Sequence, residues 1–202
     1  DHPIERTEPM TEFAIHTEES APDGAKPLLQ ASKKAYGMIP NLHGVFAESP
    51  QLLEAYQTLQ ALFSNSSLST TERHVVWLTI NVYHRCHYCV PAHTFLALRD
   101  KVPENVVDAI REERPIADTR LEALRQFALT LTVQRGEVDA DQVEAFLKAG
   151  FTKRNIFDVL LGLSHKVLSN YANHLAQTPV DGPFAKFAWR KPDDAEAPVV
   201  AE

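Results

Sequence analysis

Apolar residues recur every three or four positions along most of the chain, which is the spacing that places them on one face of an α-helix. After Ser49-Pro50, a pair typical of a helix start, the apolar stripe runs through Leu52, Tyr56 and Phe63. No stretch shows the convincing alternation of a half-buried strand. We therefore predict an all-α protein, with further helices starting near Pro27, Ser69, Pro103 and Asp118 and covering residues 139–149 and 151–176.

Residues 69–99 stand out because they hold both cysteines of the chain, Cys86 and Cys89, with His93 four positions further on. The stretch opens with Ser69 and Glu72, which form the S-x-x-E pattern of a capping box, and a run of apolar residues follows. A second helical pattern begins near Cys86. Because positions 86, 89 and 93 are spaced as one helix face, we expect both sulfurs and the imidazole to lie together.

This arrangement suits thiol chemistry. A thiol with an ordinary pKa of about 8.5 is mostly protonated at neutral pH, whereas only its thiolate attacks peroxides or disulfides. His93 lies one helical turn beyond Cys89 and can act as a base or as a stabilising imidazolium. A helix that starts at Cys86 would instead favour the thiolate of that residue. We predict Cys89 as the peroxide-reactive thiol and Cys86 as its resolving partner, which closes a disulfide after Cys89 is oxidised.

Three other interpretations of the cysteine pair stay open. A structural disulfide is disfavoured, because closing so short a loop removes little entropy from the unfolded chain. A zinc site would use Cys86, Cys89 and His93 as three ligands, with a fourth from one of the nearby histidines. The cysteines can also be inert core residues beside a buried histidine. The candidates for a fourth zinc ligand are His74, His84 and His87.

The order of motifs resembles a known family. An E-R pair, a buried helix, C-x-Y-C and a histidine four positions later are similar to the alkylhydroperoxidase D-like branch of the carboxymuconolactone decarboxylase family. Upstream, residues 36–56 (YGMIPNLHGVFAESPQLLEAY) resemble the Pro-Asn turn and helix start of its peroxidase-related members. The resemblance covers roughly residues 12–189. It implies an alkylhydroperoxidase D-like helical bundle.

The resemblance also implies roles for individual residues. Cys86 and Cys89 match the redox pair of the family, and His93 matches its histidine. The family has a proton-relaying glutamate twelve positions before the first cysteine, and here that position holds His74. Glu72 lies two residues earlier, about 200° round the helix, so Glu72 and His74 cannot face the thiols together. We keep His74 and Glu72 as candidates for the relay, beside structural roles for both.

The expected function is that of a thiol-dependent oxidoreductase that reduces hydroperoxides or partner disulfides through the C-x-x-C pair. The family resemblance implies a thiol reductant such as a lipoylated protein, no cofactor, and assembly into homotrimers or hexamers. The alternative is a metal-binding or redox-sensing module without turnover. Lactone decarboxylation, which names the wider family, is disfavoured because that branch does not use a C-x-x-C pair.

The last long helix resembles the cysteine stretch when the chain is shifted by 81 positions. The shift places polar residues over polar residues and apolar over apolar, which predicts an internal repeat. Val167 and Asn170 then stand where the cysteines would be, so the second copy is expected to keep only the packing. The matched polar pairs are Thr71 with Thr152, Arg73 with Arg154, His84 with His165, and His93 with His174.

Composition narrows the class of protein. A chain of 202 residues with 44% hydrophobic residues can bury a substantial core, which we assign to a single helical domain over residues 12–189. A formal charge of −7 argues against a nucleic-acid surface. No apolar run approaches the roughly 20 residues of a membrane span, and the first residues lack a signal-peptide pattern, so we expect a cytoplasmic protein. Residues 1–11 are expected to be disordered or an expression remnant, and residues 190–202 a flexible tail.

Overall fold

The computed structural model describes residues 12–192, and every regular element in that range is helical. The predicted all-α fold is therefore confirmed. The sequence predictions for residues 1–11 and 193–202 lie outside the described residues, and the limits of the single domain stay a prediction. The helices are α1 (Lys26–Tyr36), α2 (Asn41–Phe46), α3 (Pro50–Ser64), α4 (Thr70–Tyr83), α5 (Cys89–Arg99), α6 (Glu104–Arg111), α7 (Thr119–Val133), α8 (Ala140–Lys148) and α9 (Lys153–Ala176), with short 3-10 helices at Asp23–Ala25 and Gly182–Phe187.

Three helix starts form where the sequence places capping residues. Ser49 accepts a hydrogen bond from the backbone of α3, and Asp118 accepts two from the backbone of α7. Ser69 and Glu72 form both halves of the predicted capping box at the start of α4. These contacts satisfy amides that have no partner within the helix itself.

Helix α4 is the centre of the bundle. It packs against α5, α6, α7 and α9, and every side chain from His74 to Val82 is buried. A helix surrounded on all sides is apolar on all sides, which explains its continuous apolar run. Helix α9 can also pack closely on α3, because Gly162 has no side chain. A Cβ at this position would lie 2.8 Å from the ring of Phe63 on α3.

The chain turns sharply between α4 and α5. Arg85 adopts a left-handed backbone conformation with φ of 54°, and the amide of Cys86 donates to the carbonyl of Asn81 at 3.0 Å. The expectation that the second helix begins near Cys86 is corrected by one turn, because α5 begins at Cys89. Cys86 still leads into it, since its carbonyl accepts from the amide of Val90 at 3.1 Å.

The segment after α9 packs across α5. The 3-10 helix at 182–187 brings Phe184 to 5.4 Å from the ring of Phe95, and the indole of Trp189 donates to the carbonyl of Arg111 at 2.9 Å. Asp181 ties this segment down by accepting hydrogen bonds from the hydroxyl of Tyr88 and the amide of Asn41. The segment thus forms one wall around the cysteines. Within residues 12–192, none of the helices has the length and apolar character needed to cross a bilayer.

Candidate active site

Cys86 and Cys89 lie together against the C-terminal half of α9. Both are free cysteines, with 0% and 2% of their surfaces exposed. The side-chain amide of Asn173 donates to Sγ of Cys89 at 3.2 Å and lies 3.8 Å from Sγ of Cys86. The backbone amide of Cys89 donates to Sγ of Cys86 at 3.2 Å. Both sulfurs therefore sit among hydrogen-bond donors.

A cavity of about 300 Å³ leads to Cys89. Cys89 lines it and Cys86 does not, so an entering molecule meets the second cysteine first. Tyr36 and Arg99, both exposed, stand where the cavity meets solvent. Most of the wall is apolar or aromatic, which favours a substrate with an apolar body. The apolar and aromatic wall residues include Leu42, Tyr56, Ala92, Phe95, Leu96 and Phe184.

Lys166 of α9 reaches the same cavity and is completely buried. Its ammonium donates a hydrogen bond to Nε2 of His93 at 2.7 Å. The same ammonium lies 5.8 Å from the ring centre of Tyr56. Sequence reasoning did not single out Lys166. A signal was present, because Lys166, Ser169, Asn170 and Asn173 follow the spacing of a single polar helix face within an otherwise apolar stretch.

The two thiols differ in their electrostatics. Burial raises the pKa of Cys89, but the hydrogen bond from Cys86, the charge of Lys166 and the hydroxyl of Ser169 outweigh burial and lower the pKa to about 6. Burial raises the pKa of Cys86 well above its ordinary range, and the hydrogen bond to Cys89 and the charge on Cys89 raise it further. At neutral pH the pair therefore holds one thiolate, on Cys89, and one thiol, on Cys86.

His93 is a neutral imidazole in this site. Burial and then the neighbouring charge of Lys166 hold its pKa well below the ordinary value, and its Nε2 accepts the proton of an ammonium. A ring with a lowered pKa and an occupied Nε2 is a weak proton acceptor, so the imidazolium is disfavoured and the base role of His93 stays a prediction. Its Nδ1 is buried without a hydrogen-bond partner. The cation next to the thiolate is Lys166.

Glu72 is placed at the far end of α4. Its carboxylate accepts from the amide of Ser69 at 2.7 Å and pairs with the guanidinium of Arg120 at 2.9 Å. Neither Glu72 nor either partner lines the cavity at Cys89. The structure thus does not bring Glu72 to the thiols.

His74 is nearer the site but makes other contacts. Nε2 of His74 donates to the carboxylate of Asp100 at 3.0 Å, and burial lowers its pKa although Asp100 acts in the opposite direction. The indole of Trp77 stands 5.4 Å from the ring of His74 and 5.2 Å from the ring of His93. His74 does not line the cavity. Its place in a proton relay stays a hypothesis.

His43 is a cavity residue that sequence reasoning missed. Its Nδ1 lies 2.7 Å from the hydroxyl of Ser32, which also accepts from the side chain of Gln57 at 2.8 Å. Burial, with the charge of Lys166, lowers the pKa of His43 to about 4, so the ring is neutral under ordinary conditions. Local sequence patterns carry little signal for His43, because its contacts join residues from three different helices.

The zinc interpretation finds no support in the described part of the chain. Residues 12–192 contain no group of three or more histidine, cysteine and acidic side chains placed to hold a metal ion. His84 donates to Asn170 at 2.9 Å, and His87 donates to the carbonyl of Thr178 at 2.9 Å. Together with His74, which bonds to Asp100, all three candidates for a fourth ligand have other partners.

The structure is an all-helical bundle in which one cysteine of a close pair, Cys89, lines a cavity. Residues 50–128 match the family model of the carboxymuconolactone decarboxylase family. This segment runs from the start of α3 into α7 and contains both cysteines and His93. The resemblance predicted from the C-x-Y-C motif is thereby confirmed. Comparison with curated proteins gives no significant match.

Solved structures share the fold over most of the chain. The alkylhydroperoxidase AhpD core structure of a peroxidase-related protein from Ralstonia eutropha JMP134 has a TM-score of 0.76 and 22% identity, over 88% of this chain and 95% of that one. A peroxidase-related protein from Silicibacter sp. TM1040 has a TM-score of 0.73 and 19% identity, over 89% of this chain and 97% of that one. The debrominase Bmp8, as a cysteine-to-alanine variant with 2,3,4-tribromopyrrole, has a TM-score of 0.72 and 13% identity, over 88% and 95%. The fold is therefore the alkylhydroperoxidase D-like bundle that the sequence predicts. The internal repeat stays a prediction.

Proposed function

We propose that this protein is a thiol-dependent oxidoreductase that reduces organic hydroperoxides, or the disulfides of partners, with Cys86 and Cys89. One observation carries the proposal: the thiol with the lowered pKa, Cys89, is the one that lines the cavity, and Cys86 lies directly behind it. The family match and the peroxidase-related structures support the same general activity. Lys166 would supply the charge beside the thiolate, and His93 would hold the Lys166 ammonium in place.

The chemistry takes two steps within the protein. The Cys89 thiolate attacks the terminal oxygen of ROOH, so that an S–O bond forms, the O–O bond breaks and the leaving alkoxide takes one proton to become ROH. The Cys86 thiol then attacks the sulfenic acid on Cys89, and water leaves as the disulfide forms. The sulfur pair loses two electrons and the peroxide gains them.

A dithiol must reduce the disulfide to complete the cycle. Exchange proceeds through a mixed disulfide, so the donor has to reach Cys89 through the cavity. A long, narrow dithiol such as a lipoyl group fits an opening between Tyr36 and Arg99 better than a bulky protein surface does. The lipoylated protein expected from the family resemblance is therefore our proposed class of donor.

The wall of the cavity indicates the class of peroxide. Its aromatic and aliphatic side chains would hold an alkyl or aryl body, and the guanidinium of Arg99 at the mouth would favour an anionic group at the outer end. Arg99 already pairs with Asp100 at 2.9 Å, which reduces its net attraction. We propose an organic hydroperoxide as substrate in preference to hydrogen peroxide.

Self-association belongs to the same proposal. Phe157, Leu160, Tyr171 and Leu175 lie along one side of α9 with 69%, 44%, 55% and 56% of their surfaces exposed. Their spacings of three, eleven and four residues all correspond to whole helical turns, which places the four side chains on one face of the helix. A second copy of the same helix would cover this stripe. We propose a homo-oligomer on this basis, with trimers or hexamers as the expected sizes. We also propose the cytoplasm as its location, as the sequence analysis expects.

Steady-state reduction of cumene hydroperoxide with dihydrolipoamide as donor tests the function. The wild-type protein should turn over, the Cys89→Ser variant should be inactive, and the exposed control variant Ser64→Ala should match the wild type. A redox sensor without turnover would give one equivalent of alcohol and then stop. Absence of any peroxide consumption by fully reduced wild-type protein would reject the proposal.

A further inference from the structure

Lys166 is an ammonium buried without a carboxylate. None of its surface is exposed, and it makes no ion pair with an aspartate or glutamate of residues 12–192. An isolated buried charge is costly, so such a group either has a counter-ion or loses its proton. The only hydrogen-bond partner described for its ammonium is the neutral ring of His93.

The other titratable groups around Lys166 come from four elements. His93 belongs to α5, Tyr56 to α3 and His43 to α2, while His165 precedes Lys166 on α9. Burial lowers the pKa of each of these histidines and raises that of Tyr56, so all four are neutral at neutral pH. Within residues 12–192, the cysteine pair is then the remaining source of negative charge beside Lys166.

We propose that Lys166 is the counter-ion of the Cys89 thiolate and that it gives up its proton when the two sulfurs are oxidised. The inference rests on the dithiol chemistry proposed above. Burial lowers the pKa of Lys166, and the charges of Cys89 and then Cys86 are what raise it again. Because Cys86 is a neutral thiol, the charge present in the reduced site is that of Cys89, and oxidation to a disulfide removes it. Lys166 is then a buried cation with no counter-ion, and its neutral amine becomes the favoured form.

The proton balance of the reaction closes inside the site. The reduced site holds a Cys86 thiol, a Cys89 thiolate and a Lys166 ammonium. One ROOH converts it to a disulfide and a neutral Lys166 amine, with one ROH and one H₂O. The alkoxide receives its proton from Lys166, and the proton in the Cys86 thiol leaves in the water. Reduction by a dithiol returns its two protons, one to Cys86 and one to Lys166.

His93 positions the proton donor in this scheme. Its Nε2 holds the ammonium at 2.7 Å, and both side chains line the cavity beside Cys89. The unpartnered Nδ1 of His93 is a buried donor that faces no acceptor, which is consistent with a ring fixed by its bond to Lys166. Because Lys166 supplies the proton from within the site, the leaving alkoxide needs no proton from solvent.

The test combines two measurements on the wild-type protein. Alkylation of the reduced protein by iodoacetamide, followed against pH, shows whether Cys89 is a thiolate between pH 7 and 8.5. The reduction potential of the disulfide is then measured across the same pH range. Each proton taken up with the two electrons changes the equilibrium constant tenfold per pH unit, which is 29.6 mV for this couple. We expect two results together: Cys89 is a thiolate over this pH range, and the reduction potential changes by about 59 mV per pH unit, which corresponds to two protons.

Two wild-type outcomes would overturn the inference. In the first, Cys89 is a thiolate but the reduction potential changes by only about 30 mV per pH unit. This would mean that only Cys86 takes up a proton and that Lys166 keeps its charge throughout. An alkylation midpoint near the ordinary thiol pKa of about 8.5 means that Lys166 has no thiolate to pair with. Both results are obtained with a protein whose disulfide forms normally. Failure of the proposed function is recognised separately, because then no disulfide forms with peroxide at all.

Variants assign the second proton to Lys166. In Lys166→Arg the cation cannot lose its proton, so the thiolate should persist while the slope falls to about 30 mV per pH unit. In Lys166→Met the alkylation midpoint should move to a higher pH by about one unit or more, because the cation that favours the thiolate is gone. Lys153→Met, an exposed lysine at the start of the same helix, is the matched control and should behave as wild type. An Arg variant that keeps the 59 mV slope would transfer the second proton to another group and contradict the proposal.

Discussion

Nζ of Lys166 lies 2.7 Å from Nε2 of His93, and the two residues are 73 positions apart in the chain. The contact joins α9 to α5 directly beside Cys89. It places a cation where the C-x-x-C motif alone indicates only a histidine. The pair changes the expected chemistry, because the histidine stays neutral and the lysine carries the charge that stabilises the thiolate.

The first prediction concerns how the alkylation rate of Cys89 depends on pH. Since the pKa of Cys89 is lowered to about 6, its thiolate is formed as pH rises through 6 and is lost below that value. The rate of alkylation by iodoacetamide should therefore reach a plateau by about pH 7. In Cys86→Ser the weaker thiol donor is replaced by a hydroxyl, so a low midpoint should persist. A wild-type midpoint at the ordinary thiol pKa of about 8.5 or above would show that Cys89 is not an activated thiol.

The second prediction separates the two cysteines. Cys89→Ser should abolish peroxide reduction, because no thiolate then faces the cavity. Cys86→Ser should still consume one equivalent of cumene hydroperoxide and accumulate a sulfenic acid that dimedone traps. It should not turn over with a dithiol at the wild-type rate. If Cys86→Ser resists peroxide and Cys89→Ser reacts, the assignment of the two roles is reversed.

The third prediction concerns Glu72. Because its carboxylate caps α4 and pairs with Arg120, Glu72→Ala should lower stability by about 0.5–2 kcal/mol and leave peroxide turnover unchanged. Thermal unfolding and steady-state kinetics on the same preparation measure both effects. Glu122→Ala, which removes a comparable carboxylate from the ion pair with Arg125, is the control for a purely structural loss. A large drop in turnover at unchanged stability would instead place Glu72 in the proton relay.

The fourth prediction concerns the exposed stripe on α9. Replacing Phe157 and Leu175 by serine removes two of its most exposed apolar side chains. Light scattering after size exclusion should show an oligomer for the wild type and a smaller species for the double variant. The helical circular dichroism should not change, because both side chains point away from the core. A wild-type protein that is monomeric at high concentration would contradict this part of the proposal.

The sequence was sufficient for the helices and for locating the cysteine pair that the structure places at the cavity. Capping residues such as Ser49, Ser69 and Asp118 act on the backbone within a few positions, so their effect can be inferred locally. The start of α5 was misplaced by one turn because the left-handed conformation of Arg85 has no local signal of the kind that glycine gives.

The surroundings of the thiols were harder to infer. Lys166 and Asn173 reach the cysteines only through the packing of α9 on α4 and α5, and His43 arrives from a short helix near the other end of the chain. Periodicity shows that a residue lies on a buried face but not which distant residue it meets. The polar stripe on α9 was the one available signal, and it indicates a site without identifying its partner.

Mass spectrometry after a single turnover tests the central claim most directly. Reduced wild-type protein is mixed with one equivalent of cumene hydroperoxide and analysed at once, while the alcohol is measured in the same sample. The account predicts a mass loss of about 2 Da, as Cys86 and Cys89 become a disulfide, together with one equivalent of alcohol. An unchanged mass with no alcohol would contradict it.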